Sequence, residues 1–204
     1  MTIAFALGLR YRTALRVLAA TLLGLTPFSP GWSAPAKAAS LPANSVYQLS
    51  IPLSDQLGRT SKLEDWRGKP VLISMFYSSC EFVCPRIVEA VKKTEESLLL
   101  AHRAQVPVLM VSFDPVRDDT AKLNTMAEER RIDPKLWTLA RTDARNVRKL
   151  AAMLGIQYRE LPSGEFNHSS VIILLDSEGR VVGKTTTLGE ADPAFVKLVR
   201  KSKL

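Results

Sequence analysis

Val71-Leu72-Ile73-Ser74-Met75-Phe76-Tyr77 is an unbroken, almost wholly apolar run with no alternation of apolar and polar side chains. A strand of this kind is buried on both faces, as in sheets flanked by helices. The segments that follow have the matching order. Ser78-Ser79-Cys80 opens a loop, residues 84–100 place Ile87, Val88, Val91 and Leu98 at helical spacing, and residues 106–113 form a second buried strand. Residues 120–131 read as a helix, 136–140 as a short strand, and 144–154 as a helix closed by Gly155. Strands alternating with helices in this way build parallel βαβ units.

The C-terminal part changes pattern. A strand at 170–175, a turn at Asp176-Ser177-Glu178-Gly179, a strand at 180–186 and a helix at 193–201 begun by Pro193 form a ββα unit. Upstream, residues 46–53 alternate as a strand and Asp55-Gln56-Leu57-Gly58 turns the chain, which predicts an N-terminal hairpin extension. A βαβ half followed by a ββα half is the thioredoxin-like arrangement. The expected fold is therefore α/β, a central mixed sheet flanked by helices. A chain of 204 residues holds one such domain and an appendage. The domain is expected over 45–204, after a Pro/Ala/Ser-rich linker at 39–44.

Residues 1–38 are the appendage. Residues 1–16 are basic without an acid, Val17 to Leu25 is apolar, and the small-residue stretch SAPAKAAS follows Trp32, which is the order of a secretory signal. The apolar stretch ends at Pro27, short of the roughly 20 residues that span a bilayer. Cleavage after Ala36 or Ala38 and a periplasmic location are expected, with a retained membrane anchor as the alternative. The segment also explains much of the net charge. Of 28 cations, Arg10, Arg12, Arg16 and Lys37 lie in it, leaving 24 against 20 acids, or +4 instead of +8. So mild an excess, with no aromatic-interleaved basic patch, argues against a nucleic-acid partner.

Export places both cysteines where disulfides form. Cys80 and Cys84, the two cysteines of the chain, lie four apart, after a buried strand and at the start of a helix followed by Pro85. Thiols near a helix N-terminus are pushed toward thiolate by its unpaired N–H groups. If the loop is helical, this spacing puts both sulfurs on one side of a first helical turn, so they can converge on one soft ion or oxidise to each other. Spacing alone does not choose between a metal site, a redox pair and a plain disulfide, although a disulfide here closes too short a ring to add much stability. Of the two histidines, His102 ends a Leu-rich helix and reads as a helix-end residue. His168, in Phe166-Asn167-His168-Ser169-Ser170, directly precedes the first strand of the ββα half, which in this topology runs beside the cysteine loop. Two thiolates and an imidazole suit copper, the sulfurs favouring Cu(I) and the imidazole helping to hold Cu(II). Zinc calls for a fourth ligand, and no third cysteine or second suitable histidine supplies it.

The segments FYSSCEFVCP, SFDPVRDD and NHSSVIILLDSEGRV resemble, in order and spacing, the Sco/SenC copper-chaperone family of thioredoxin-like proteins. The likeness implies copper held by Cys80, Cys84 and His168. It also implies a role in assembling the binuclear copper centre of cytochrome c oxidase, or in reducing its cysteines. Its implied partners are a copper-accepting membrane oxidase subunit and an upstream copper donor or thiol reductant, the chain itself being a monomer. Asp114 matches the strand-end Asp-Pro of the family and is implied to support the ligands or to meet a partner. Three features depart from the family: Glu81 follows the first cysteine in place of proline, Asp119-Thr120 replaces Thr-Pro, and Asn167 stands where aspartate is common. Glu81 adds negative charge beside the thiolates, which raises their pKa and favours a bound cation.

The leading expectation is a periplasmic copper chaperone, not an enzyme in the usual sense. The alternative is a thiol-disulfide oxidoreductase with Cys80 and Cys84 as its redox pair. That activity usually goes with Cys-x-x-Cys and a cis-proline facing the pair, and residues 165–172 contain no proline. A thiol peroxidase of similar fold usually carries threonine three residues before its reactive cysteine, where Tyr77 stands here.

Overall fold

The computed structural model of the protein describes residues 40–202; the signal segment expected at 1–38 lies outside them. Nine strands and four α-helices follow one another as β1 Pro52–Asp55, β2 Thr60–Lys62, β3 Val71–Phe76, α1 Val83–Leu100, β4 Val108–Ser112, α2 Thr120–Glu129, β5 Trp137–Arg141, α3 Ala144–Leu154, β6 Tyr158–Glu160, β7 Phe166–His168, β8 Ile172–Leu175, β9 Val181–Thr185 and α4 Pro193–Lys201. Seven strands form one mixed sheet in the order β2-β1-β5-β4-β3-β8-β9, and β6 and β7 form a separate ribbon. β3, β4 and β5 are mutually parallel, β8 runs antiparallel to β3, and β1 runs antiparallel to β5. This is the expected α/β, thioredoxin-like arrangement with an N-terminal hairpin.

All six residues of β3, all five of β4 and all four of β8 are buried. Both faces of the sheet are therefore covered. α3 presents Val147, Leu150, Ala151 and Leu154 to the core at i, i+3, i+4 and i+7. Asp143 accepts from Arg145 N and Asn146 N to start α3, and Gly155 at φ 69° ends it in the left-handed conformation. α4 begins the same way, with Asp192 capping and Pro193 in the first turn.

The structure differs from the sequence reading in two places. Residues 46–53 are not one strand. Val46–Gln48 is a 3₁₀ turn started by Ser45, Val46 N donates to Gly179 O at 3.0 Å, and the strand begins only at Pro52. Val46 and Tyr47 are both buried although adjacent, so the burial does not follow the period of two that a strand requires. The second difference is the β6–β7 ribbon. Its residues are half-buried or exposed, which leaves no hydrophobic alternation to announce it.

A candidate soft-metal centre

The cysteine loop leaves the C-terminal end of β3 and closes on the first turn of α1. Cys80 N donates to Tyr77 O at 3.2 Å, which folds the loop back on itself. Phe82, at the start of α1, supplies no capping side chain. The sulfur of Cys80 takes that place, accepting the Cys84 N–H at 3.3 Å and a bond from Val83 N–H. Pro85 has no N–H to satisfy, so it costs nothing in this turn. Both cysteines are free thiols, and both are buried.

Placement at the helix start does not act alike on the two thiols. Cys80 is held far below the ordinary thiol range, first by a hydrogen bond from the Cys84 thiol, with burial opposing and His168 and the two backbone N–H groups assisting. Cys84 is pushed well up, first by donating that same bond and then by its burial. The two shifts are opposite in direction and share one cause, the Cys84–Cys80 hydrogen bond, so Cys80 is the thiol that ionises first.

His168 comes to the thiols on the ribbon. It pairs with Tyr158, and the ribbon runs into β8, the strand beside β3. Its Nδ1 lies 3.2 Å from Ser169 O, an acceptor only, so Nδ1 carries a proton there and Nε2 is left clear of that bond. The imidazole packs 4.8 Å from the Phe113 ring and edge-on to Tyr77 at 5.9 Å. Ligand atoms of Cys80, Cys84 and His168 all lie within 4.8 Å of one another. The half-buried imidazole is the exposed side of this otherwise buried trio.

Asp114 and Glu81 are not in the trio. Glu81 is exposed, and it is not among the leading influences on either thiol. Asp114, only 5% exposed, forms an ion pair with Arg117 instead of facing the sulfurs. Arg117 in turn donates to Gly164 O at 2.5 Å, lies 3.6 Å from Glu160 and covers the Phe166 ring, so it fastens the ribbon that carries His168. The residue that reaches the cysteine loop is Asp118, which the sequence reading missed. Fully buried, it accepts from Ser78 N at 3.0 Å, from Ser78 Oγ and from Ser112 Oγ, tying the loop to the end of β4. The available signal was two serines and an acid at the ends of two neighbouring buried strands. Asp119, in place of threonine, still caps α2 by accepting from Lys122 N at 2.8 Å. His102 is an exposed helix-end residue with φ 51°.

Arg117→Gln should therefore free the ribbon while sparing the core. Loss of a charge-assisted bond of about 1–2 kcal/mol predicts about five- to thirtyfold faster amide exchange over 158–168, with α3 unchanged. Exchange that stays at the parent rate there would mean that the aromatic contacts hold the ribbon alone.

A thioredoxin-like domain with two converging thiols and a half-exposed imidazole defines a class: a soft-metal or thiol-exchange protein with its site at the carboxyl end of a central strand. The comparisons give the family. The SCO1/SenC family model matches residues 43–202, and the chain belongs to that family. A comparison with curated proteins finds no match. Among solved structures, a SCO1/SenC family lipoprotein of Bacillus anthracis is 18% identical with a TM-score of 0.68, over 74% of this chain and 92% of the other. ScoI of Bradyrhizobium japonicum with copper bound is 25% identical with a TM-score of 0.56, over 72% and 95%. ScoI of Arabidopsis thaliana with copper bound is 16% identical with a TM-score of 0.63, over 74% and 96%.

Proposed function

We propose that the chain is an exported copper chaperone that holds copper through Cys80, Cys84 and His168 and supplies it to the copper centre of cytochrome c oxidase. Residues 1–38 direct export and are then removed, with a retained anchor as the alternative, and residues 45–204 form the copper-binding domain. Among the described residues no helix is long and apolar enough to cross a membrane. The observation that carries the proposal is the convergence of two sulfurs and one imidazole nitrogen within 4.8 Å. Copper displaces the proton of the Cys84–Cys80 hydrogen bond, because a bound cation outweighs the repulsion between two thiolates. The copper-bound ScoI structures support the choice of metal. The partners are an upstream copper donor or reductant and the copper-accepting oxidase subunit.

The uneven thiols favour a second reading, reduction of a partner disulfide. Cys80 thiolate attacks one sulfur of that disulfide, forming a mixed disulfide and releasing the partner's first thiolate. Cys84, once deprotonated, attacks Cys80 and releases the second thiol, so two electrons pass and a Cys80–Cys84 disulfide remains. Copper titration of the reduced chain, followed by X-ray absorption, tests the first reading. One copper with two sulfur and one nitrogen neighbours is expected. Copper uptake that survives oxidation of both cysteines would overturn it.

A further inference from the structure

The end of the domain opposite the thiols carries a surface that the copper site does not use. Leu99 and Leu100, at the end of α1, are 60% and 77% exposed. Over its 18 residues α1 carries them about 27 Å from its start beside the thiols. The end of α4 lies against this point. Arg200 donates to Ser97 O at 3.0 Å and Arg103 donates to Arg200 O at 2.6 Å, so both guanidinium groups bond main-chain carbonyls at the two helix ends. Lys197 and Arg200 line one groove with Ser97. Residues 97–105 and 193–204 contain five lysines and arginines and no acid, although the exposed Glu96 lies one helical turn before Leu100. The negative end of a helix explains cations there but not two adjacent exposed leucines.

The described chain also enters the domain at this end. Val46 N donates to Gly179 O in the β8–β9 turn, and Gly68 N, just before β3, donates to Ser177 O in the same turn. Lys201 and Ser202 share a cavity with Pro70, Ser177 and Arg180. Thus the entry of the chain and the ends of α1 and α4 surround the start of β3, while the thiols lie beyond its other end. In the alternative in which residues 1–38 are retained as an anchor, that basic and apolar segment directly precedes this entry in sequence.

We propose that this face, built on Leu99, Leu100, Arg103, Lys197, Arg200 and Lys201, rests on an anionic lipid surface. Leucines that insert into the headgroup region and cations that pair with lipid phosphates are the two components of an interfacial contact. The thiols then point away from the bilayer at a height of about 27 Å or less, set by the length of α1. This orientation is independent of the copper reading, because its residues touch none of the three thiol and imidazole groups.

Amide exchange of the full chain on vesicles tests it, since local rates separate this face from any contact made by residues 1–38. With vesicles of three parts phosphatidylglycerol to seven of phosphatidylcholine, exchange over 97–105 should slow about fivefold, whereas pure phosphatidylcholine should leave it unchanged. Leu99→Ser with Leu100→Ser, and separately Arg103→Glu with Arg200→Glu, should each abolish the slowing. The leucine pair is exposed and its replacement leaves the core intact, which near-ultraviolet circular dichroism checks. Equal protection on both vesicles, or none on either, would overturn the proposal. Protection that rises with protein concentration in the absence of lipid would overturn it in favour of a second copy on this face.

Discussion

Cys84→Ser is expected to lower Cu(I) affinity about a hundredfold or more, because groups that merely support a metal ligand are already worth about 10- to 100-fold and a soft donor is worth more. Cys80→Ser should cost at least as much, yet the two variants should differ in the metal-free protein. The Cys80 sulfur caps α1 through Cys84 N–H, and serine oxygen is a good cap, so Cys80→Ser should keep the helix start. Cys84→Ser retains a hydroxyl that can donate to the Cys80 thiolate, whereas Cys84→Ala removes the donor that most favours that thiolate. Cys80 should then alkylate near its parent rate at mildly acid pH in Cys84→Ser and more slowly in Cys84→Ala. Competitive titration against a Cu(I) chelator measures the affinities, and iodoacetamide kinetics the thiolate. Parent affinity in both serine variants would remove the cysteines from the site.

The contrast between the two halves of the site shows what the sequence can disclose. Buried strands such as β3 and β4 are legible because burial on both faces leaves a continuous apolar run, and α3 is legible because its cap, its i, i+3, i+4, i+7 stripe and its terminal Gly155 agree. Cys80 and Cys84 announce themselves by spacing, and His168 by its place before β8. The β6–β7 ribbon is different. Tyr158, Phe166 and His168 gather with Tyr77 and Phe113 in an aromatic cluster drawn from three separate segments, so no local period marks them. The acids fail for a related reason. Asp114, Asp118 and Asp119 sit within six residues, and their tasks, holding Arg117, holding Ser78 and capping α2, depend on which neighbour each meets in space. Sequence marks the segment as important, and only packing assigns the work within it.

Because His168 reaches the thiols on a separate ribbon, its removal should separate metal binding from thiol chemistry. His168→Ala should weaken Cu(II) binding by about tenfold or more, while Cu(I), which two thiolates can hold, suffers less. The Cys80–Cys84 reduction potential should move only slightly. The Cys84 thiol, not the imidazole, is the largest influence favouring the Cys80 thiolate. The direction of the small shift is fixed: the imidazole favours the reduced, thiolate-bearing form, so its loss lowers the potential and makes the pair a slightly stronger reductant. His168→Phe provides the packing control, since a phenyl ring keeps the contacts with Phe113 and Tyr77 while removing the nitrogen. Both variants should lose Cu(II) to a similar degree if the nitrogen is a ligand. Cu(II) titration and a redox equilibrium with glutathione on each variant supply the two readouts. Intact Cu(II) binding in His168→Phe, together with a large fall in potential, would make His168 a tuner of the thiols and put disulfide reduction ahead of copper delivery.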